Sequence, residues 1–132
     1  MPTKMLLVED DPIVRFSAKR ILEGYGLKVT EACCIEDAKE SLARYQFSAV
    51  VSDISMPNGT GVELHEWVAE HCPYLLGKFF FCSGGMPFEL EEYVNNSGCR
   101  LFKKPIDWNA LIEALHEVRS PSSPKPAIAD GA

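Results

Sequence analysis

The chain has 132 residues, 46% of them hydrophobic, with thirteen basic and nineteen acidic side chains for a formal net charge of -6. That length suits one domain able to bury roughly two thirds of its unfolded surface. The acidic balance argues against nucleic acid as a direct partner, no run reaches the ~18 apolar residues of a membrane span, and acids follow Met1 too soon for a signal peptide.

Strand and helix alternate five times along the sequence. Lys4 to Val8 reads as a first strand. Pro12 to Gly24 reads as a helix, with Asp11 as N-cap, Pro12 at its first position, and Gly24 and Gly26 flanking its end. Ile13, Phe16, Ile21 and Leu22 give that helix a rough apolar face, expected to be buried. Leu27 to Glu31 reads as strand two. Ile35 to Tyr45 reads as helix two, with Ala38, Leu42 and Tyr45 spaced to face the core.

Ala49 to Ser52 is apolar without alternation, as expected of a parallel strand covered on both sides. A Pro-Asn-Gly loop from Met56 to Thr60 leads into helix three, Gly61 to His71, with Val62, Leu64, Trp67 and Val68 as apolar contacts. Lys78 to Cys82 reads as strand four and Ser83-Gly84-Gly85 as a turn. Pro87 to Asn96 reads as helix four, stopped by Ser97-Gly98. Arg100 to Lys103 reads as strand five, and Asp107 caps a last helix to about Val118.

Units of this size imply parallel strands and right-handed crossovers, hence a small three-layer α/β sandwich with a doubly wound sheet. Residues 1–118 form the expected domain. Residues 119–132, rich in Pro and Ser, read as a linker or disordered tail. The five cysteines, odd in number and without Cys-x-x-Cys, do not suggest a disulfide framework. They read as reduced thiols of a cytoplasmic protein, two or three of them core filler.

Four polar positions are attached to the apolar runs: Glu9-Asp10, Asp53, Ser83 and Lys104. If the runs are neighbouring parallel strands, their carboxyl ends lie together, where ligands of such sheets bind. Three acids, a hydroxyl and an amine then share one pocket. That set can hold a divalent cation beside a carboxylate nucleophile and receive a phosphoryl group.

The segments LLVEDDP, VVSDISMPNGTG, FCSGG and FKKP together resemble the receiver domain of two-component signalling proteins, over about residues 3 to 118. MLLVEDDPIVR and the SGG turn resemble in particular receivers associated with hybrid sensor histidine kinases. The resemblance implies a CheY-like, flavodoxin-like sheet of five parallel strands in the order 2-1-3-4-5. It implies Asp53 as the phosphoryl acceptor, with Ser83 and Lys104 completing the reactive set. It implies Mg²⁺ held by Asp10, Asp53 and the Ser55 carbonyl, with Glu9 acting mainly through metal-bound water. Lys104 is expected to pair with Asp53, aimed inward by a cis bond before Pro105, while strand alternation turns Lys103 away.

The resemblance further implies a sensor histidine kinase or a histidine phosphotransfer protein as phosphodonor. The chain itself would contribute weak, Mg²⁺-dependent self-phosphorylation and autodephosphorylation. The downstream docking face would lie on helix four, strand five and helix five, where Tyr93, Leu101 and Trp108 are sought. Leu101 stands where many relatives carry Tyr or Phe, so its signal would be a smaller change of surface shape. Gly84 and Gly85 leave the pocket mouth open, which implies a short-lived phosphoaspartate. The oligomeric expectation is a monomer or weak dimer.

Three other classes fit less well. A protein-interaction module without phosphate chemistry would have no use for the complete polar set. A haloacid-dehalogenase-like phosphatase would need Asp-x-Asp after the first strand, and a flavodoxin-like cofactor binder would need a phosphate-cradling loop there.

Overall fold

The computed structural model describes residues 3–56, 59–85 and 88–119. Its elements are β1 (Lys4–Val8), α1 (Pro12–Gly24), β2 (Lys28–Ala32), α2 (Ile35–Arg44), β3 (Ala49–Asp53), β4 (Ser55–Met56) and β5 (Gly59–Thr60). They are followed by α3 (Gly61–His71), a 3-10 turn over Pro73–Lys78, β6 (Phe79–Ser83), α4 (Phe88–Ser97), β7 (Arg100–Lys103) and α5 (Trp108–Arg119). Among the described residues the main sheet is five-stranded and parallel, in the order β2-β1-β3-β6-β7. This is the order expected for the five long strands. The region read as a loop from Met56 to Thr60 instead contributes a short antiparallel pair, β4 with β5. Pro57, Asn58 and Pro87 lie outside the described residues, as does the tail beyond Arg119.

The sheet divides the core in two. Leu6, Val8, Val50, Phe79 and Phe81 face one side and pack against α2, α3 and α4 through Ala38, Leu42, Leu64, Val68 and Val94. Met5, Leu7, Val51, Phe80, Cys82 and Phe102 face the other and pack against α1 and α5 through Ala18, Leu22, Leu111 and Leu115. Every residue of β3 and β6 is buried. Both strands therefore read as unbroken apolar runs, and the period-2 alternation of a half-exposed strand is missing.

Local signals set the helix ends. The Asp11 carboxylate accepts from the Ile13 and Val14 N–H groups at 2.9 and 3.3 Å, capping α1. At its far end Gly26 has φ +93, a conformation that only glycine adopts without strain. There Gly26 N–H donates to Glu23 and Leu27 N–H to Leu22, a Schellman closure with Leu27 and Leu22 packed in one core. Thr60 and Glu63 form a reciprocal capping box at α3, both bonds 3.2 Å. The Asp107 carboxylate accepts from Ala110 N–H, as expected of the cap of α5.

Helix α2 is capped by sulfur: Cys34 Sγ accepts from the Asp37 N–H. The neighbouring Cys33 thiol donates to the Asp37 carboxylate at 3.0 Å, and that bond is the main cause of its rise to about 11. Cys72 and Cys82 are buried, matching the expectation of thiols used as core filler. Burial pushes Cys82 up to about 12, which leaves it an inert thiol.

Three expected core residues are outside. Ile13 is 76% exposed, Phe16 57% and Tyr45 52%. The buried stripe of α1 is carried by Ala18 and Leu22 at i, i+4, and Ile21 is only half-buried. Leu22→Ala should therefore lower unfolding free energy by about 2–5 kcal/mol, whereas Ile13→Ser should change it by no more than ~0.5 kcal/mol. Urea titration of both variants measures this, and equal losses would restore Ile13 to the core.

Candidate functional site

The carboxyl ends of β1, β3, β6 and β7 converge, because a parallel sheet places all four on one edge. Glu9 and Asp10 follow β1, Asp53 ends β3, Ser83 ends β6 and Lys104 follows β7. The structure brings Glu9, Asp10 and Asp53 together, each offering a carboxylate oxygen within 4.8 Å of the others. Glu9 and Asp53 are buried and Asp10 is half-buried.

Lys104 Nζ reaches into this group. It donates to Glu9 Oε1 at 2.9 Å and to Asp53 Oδ2 at 3.3 Å. The pairing with Asp53 is as expected, but the shorter bond goes to Glu9. Burial alone would depress Lys104. The hydrogen bond to Glu9 and the charges of Asp53 and Glu9 outweigh it and hold the ammonium above its ordinary value. Glu9 is raised chiefly by desolvation, with the Asp53 charge adding to the rise and the bonds from Lys104 and the Asp11 N–H opposing it. Lys103 is exposed and makes no bond to the acidic group among the described residues, although it lines the cleft beside Ser83, and the Lys104–Pro105 bond is cis.

The backbone around Asp53 is closely fitted. Asp53 Oδ1 accepts from Ile54 N–H at 2.9 Å, and the same N–H points to the Cys82 carbonyl at 2.9 Å. Gly61 N–H donates to the Ile54 carbonyl at 2.8 Å. A Cβ on Gly61 would lie 2.6 Å from the Asp53 carbonyl oxygen, so α3 can start this close to the aspartate only with glycine there. Ser55 begins β4, two residues beyond Asp53.

Ser83 is buried, and its Oγ accepts from Gly85 N–H at 3.0 Å. Among the described residues its hydroxyl proton has no acceptor. Two clefts meet at Lys104. One, of about 330 Å³, is lined by Ser83, Gly84, Gly85, Glu91, Leu101 and Lys103. The other, of about 290 Å³, is mostly apolar and runs between α1 and α5 past Val14, Ile21, Ile106, Trp108 and Leu111 to Glu9.

Two residues sought on the outward face of α4, β7 and α5 lie elsewhere. Trp108 belongs to the α1–α5 layer, and Tyr93 is half-buried with its hydroxyl 2.8 Å from His65 Nδ1. Leu101 is half-buried against the core on the α4 side. His65, on α3, is a buried junction. Its Nε2 lies 3.3 Å from Cys99 Sγ, and its ring meets Phe79 edge-on at 5.1 Å. The histidine thereby links α3 to α4 and to the segment entering β7. The available signal was its place on the Leu64–Val68 face of α3.

The family model described as the response regulator receiver domain matches residues 5–116. The chain belongs to that family. It is 30% identical over 112 residues to the response regulator protein PilR of Pseudomonas aeruginosa, an alignment covering 85% of this chain and 25% of that protein. It is 32% identical over 114 residues to the response regulator Rre1 of Synechocystis, covering 83% of this chain and 48% of the relative. The chain thus spans at most about half the length of these curated relatives.

Among solved structures, the receiver domain of HemR from Leptospira biflexa, in its non-phosphorylated form, matches with a TM-score of 0.77 at 26% identity. That alignment covers 97% of this chain and 100% of the other. A CheY-like receiver domain protein from Methanospirillum hungatei matches with a TM-score of 0.80 at 25% identity, covering 90% and 98%. Among the described residues no helix is long and apolar enough to cross a membrane.

Burial lowers His65 below its ordinary value, with the Glu66 charge opposing. The unfolded chain takes a proton on this ring near pH ~6.5, while the folded chain resists it. The stability that His65 contributes is therefore present above about pH 6.5 and is lost as pH falls toward the lower folded value. The urea midpoint should drop between about pH 7.5 and 5.5, and His65→Gln should flatten that drop. An unchanged slope in the variant would show that other groups set it.

Proposed function

We propose that the chain is a phosphoacceptor that takes a phosphoryl group on Asp53 from the phosphohistidine of a sensor histidine kinase or histidine phosphotransfer protein, acting in the cytoplasm. One observation carries this reading: a buried carboxylate at the end of the central strand, bonded on one oxygen by Ile54 N–H and on the other by Lys104, with two further acids beside it. Three carboxylates against one ammonium leave a surplus of two negative charges, which suits one divalent cation. The donors are hard oxygens, as Mg²⁺ prefers. Glu9, Asp10 and Asp53, with the Ser55 carbonyl, are the residues to hold it. When bound, Mg²⁺ offsets acid repulsion and draws the phosphoryl oxygens into line.

In the transfer, an Asp53 carboxylate oxygen attacks phosphorus. The P–N bond of the donor phosphohistidine breaks, and the imidazole leaves with its electron pair and takes up a proton. Lys104 places positive charge where the equatorial oxygens gain negative charge. Ser83 donates its free hydroxyl proton to one of those oxygens. Gly84 and Gly85 are exposed beside the cleft, so water reaches the acyl phosphate and its lifetime is short. The charge added at Asp53 shifts the balance between two conformations. A downstream protein reads that shift on the face of α4, β7 and α5, with Leu101 giving a smaller shape change than a ring.

The exposed apolar side chains of α1 have a use in this scheme. Ile13, Val14 and Phe16 are exposed on α1; Val14 lines the apolar cleft that reaches Glu9, and Phe16 lies on the Glu31 side of the helix. They form the docking surface for the donor protein, which must bring its histidine over Asp53. The net charge of -6 disfavours direct nucleic-acid binding, and the monomer is the working form, with at most weak dimerisation.

Intact mass after incubation with acetyl phosphate tests the acceptor. A Mg²⁺-dependent gain of one phosphoryl group, absent in Asp53→Asn, is expected. A gain that survives in D53N overturns the assignment, as does the absence of both a gain and beryllofluoride binding. Phe16→Ser should leave labelling by acetyl phosphate unchanged while slowing transfer from a phosphorylated histidine phosphotransfer protein by about tenfold or more, the equivalent of one lost apolar contact. Equal slowing with both donors would remove α1 from the docking surface.

A further inference from the structure

A second set of metal-ligating groups lies at the end of β2 and the first turn of α2, where the phosphoryl chemistry has no use for it. Cys33, Cys34 and Asp37 each offer one ligand atom, and the three atoms lie within 4.8 Å of one another. Cys33 Sγ is 3.0 Å from Asp37 Oδ2, and Cys34 Sγ is 3.4 Å from Asp37 N. Both thiols are free, Cys33 and Asp37 are exposed and Cys34 is half-buried, so an ion from solvent can reach them.

Capping does not account for the sulfurs. Ser, Asp, Asn and Thr are the preferred N-caps, and a thiol is a weak acceptor. Serine at Cys34 would cap α2 better, and the Asp37 carboxylate could reach the Cys33 N–H without a sulfur at Cys33. Two thiols and a carboxylate are instead a donor set for a thiophilic divalent ion, and not for Mg²⁺. Zn–S bonds near 2.3 Å and Zn–O bonds of about 2.0–2.2 Å place tetrahedral ligands roughly 3.5–3.8 Å apart. Small side-chain rotations bring the three atoms to that spacing.

We propose that Cys33, Cys34 and Asp37 form a three-ligand site for a thiophilic divalent cation of the zinc type, separate from the acidic pocket, with the fourth position open to water. On binding, two metal–sulfur bonds and one metal–oxygen bond form. Two thiol protons pass to solvent, and nothing is oxidised or reduced. Arg15, whose guanidinium pairs with Glu31 and also acts on Asp37, is the cation already close to the site. The bound ion ties the end of β2 to the first turn of α2, so it stabilises the folded chain by mass action.

The test uses the full chain, reduced with a phosphine and saturated with Mg²⁺. It is titrated with Cd²⁺ as the spectroscopic probe and then with Zn²⁺ in competition. An ultraviolet thiolate-to-metal charge-transfer band that saturates at one ion per chain, and is displaced by Zn²⁺, is expected. Losing a partner outside the ligand shell costs metal affinity about 10–100-fold, so Cys34→Ser and Asp37→Asn should each weaken binding at least that much. C34S keeps an oxygen cap on α2, and circular dichroism checks that it folds. Cys99→Ser and D53N should leave the titration unchanged. A band that persists in C34S, the absence of any band, or one ion shared by two chains in sedimentation would each overturn the site.

Discussion

The arrangement rests on one ammonium. Lys104 is the cation held between Glu9, 95 residues away in sequence, and Asp53, 51 residues away. Taking a carboxylate out of water costs several kcal/mol unless a counter-charge accompanies it. Here two are buried side by side with a third close by. Without Lys104 the carboxyl ends of β1 and β3 would repel, although the sheet register holds them adjacent. The sheet can keep this acidic edge because β7 delivers a cation to it.

Apolar strand interiors deliver those charged ends. The central strands are covered on both faces, so their direction and register follow from burial, and what remains polar is forced to the ends of the runs. The same economy of space appears at Gly61. Its missing side chain lets α3 start against the Asp53 carbonyl, and the Gly61 N–H then holds the Ile54 carbonyl. The position of the aspartate is thus determined as much by the helix that follows as by the strand that carries it.

Much of this was legible in the sequence because each signal was local. Asp11-Pro12 and Asp107 are caps that depend on neighbours within one turn. Unbroken apolar runs ending in acid, hydroxyl or lysine give both strand and site. What failed to show depends on tertiary placement. Periodicity registers Ile13 and Phe16 as apolar but cannot distinguish a face that packs inward from one kept exposed. Tyr45 ends its helix at a boundary where the chain turns away. Tyr93 and Trp108 were sought on one outward face, but His65 draws the first inward and the α1–α5 core takes the second. Nor could the sequence weigh Glu9 against Asp53 as partners of Lys104, since that depends on tenths of an ångström.

That last comparison bears on how the proposed chemistry becomes a signal. Lys104 makes its shorter bond to Glu9 and its longer one to Asp53, while desolvation works against charge on Glu9. A phosphoryl group on Asp53 adds negative charge and strong acceptor oxygens at the end of the longer bond. The ammonium then has a better partner than Glu9, and the Ser83 hydroxyl gains an acceptor that it lacks among the described residues. Both side chains belong to the edge that faces the cleft of Gly84, Gly85, Glu91 and Leu101. A change in their bonding under the proposed chemistry would therefore be felt at α4 and β7 through the cleft that they line together. One edge of the sheet thus carries two donor sets of different chemistry side by side: an oxygen-lined pocket after β1 and β3, and a sulfur-bearing turn after β2, where the Glu9 N–H donates to the Ala32 carbonyl.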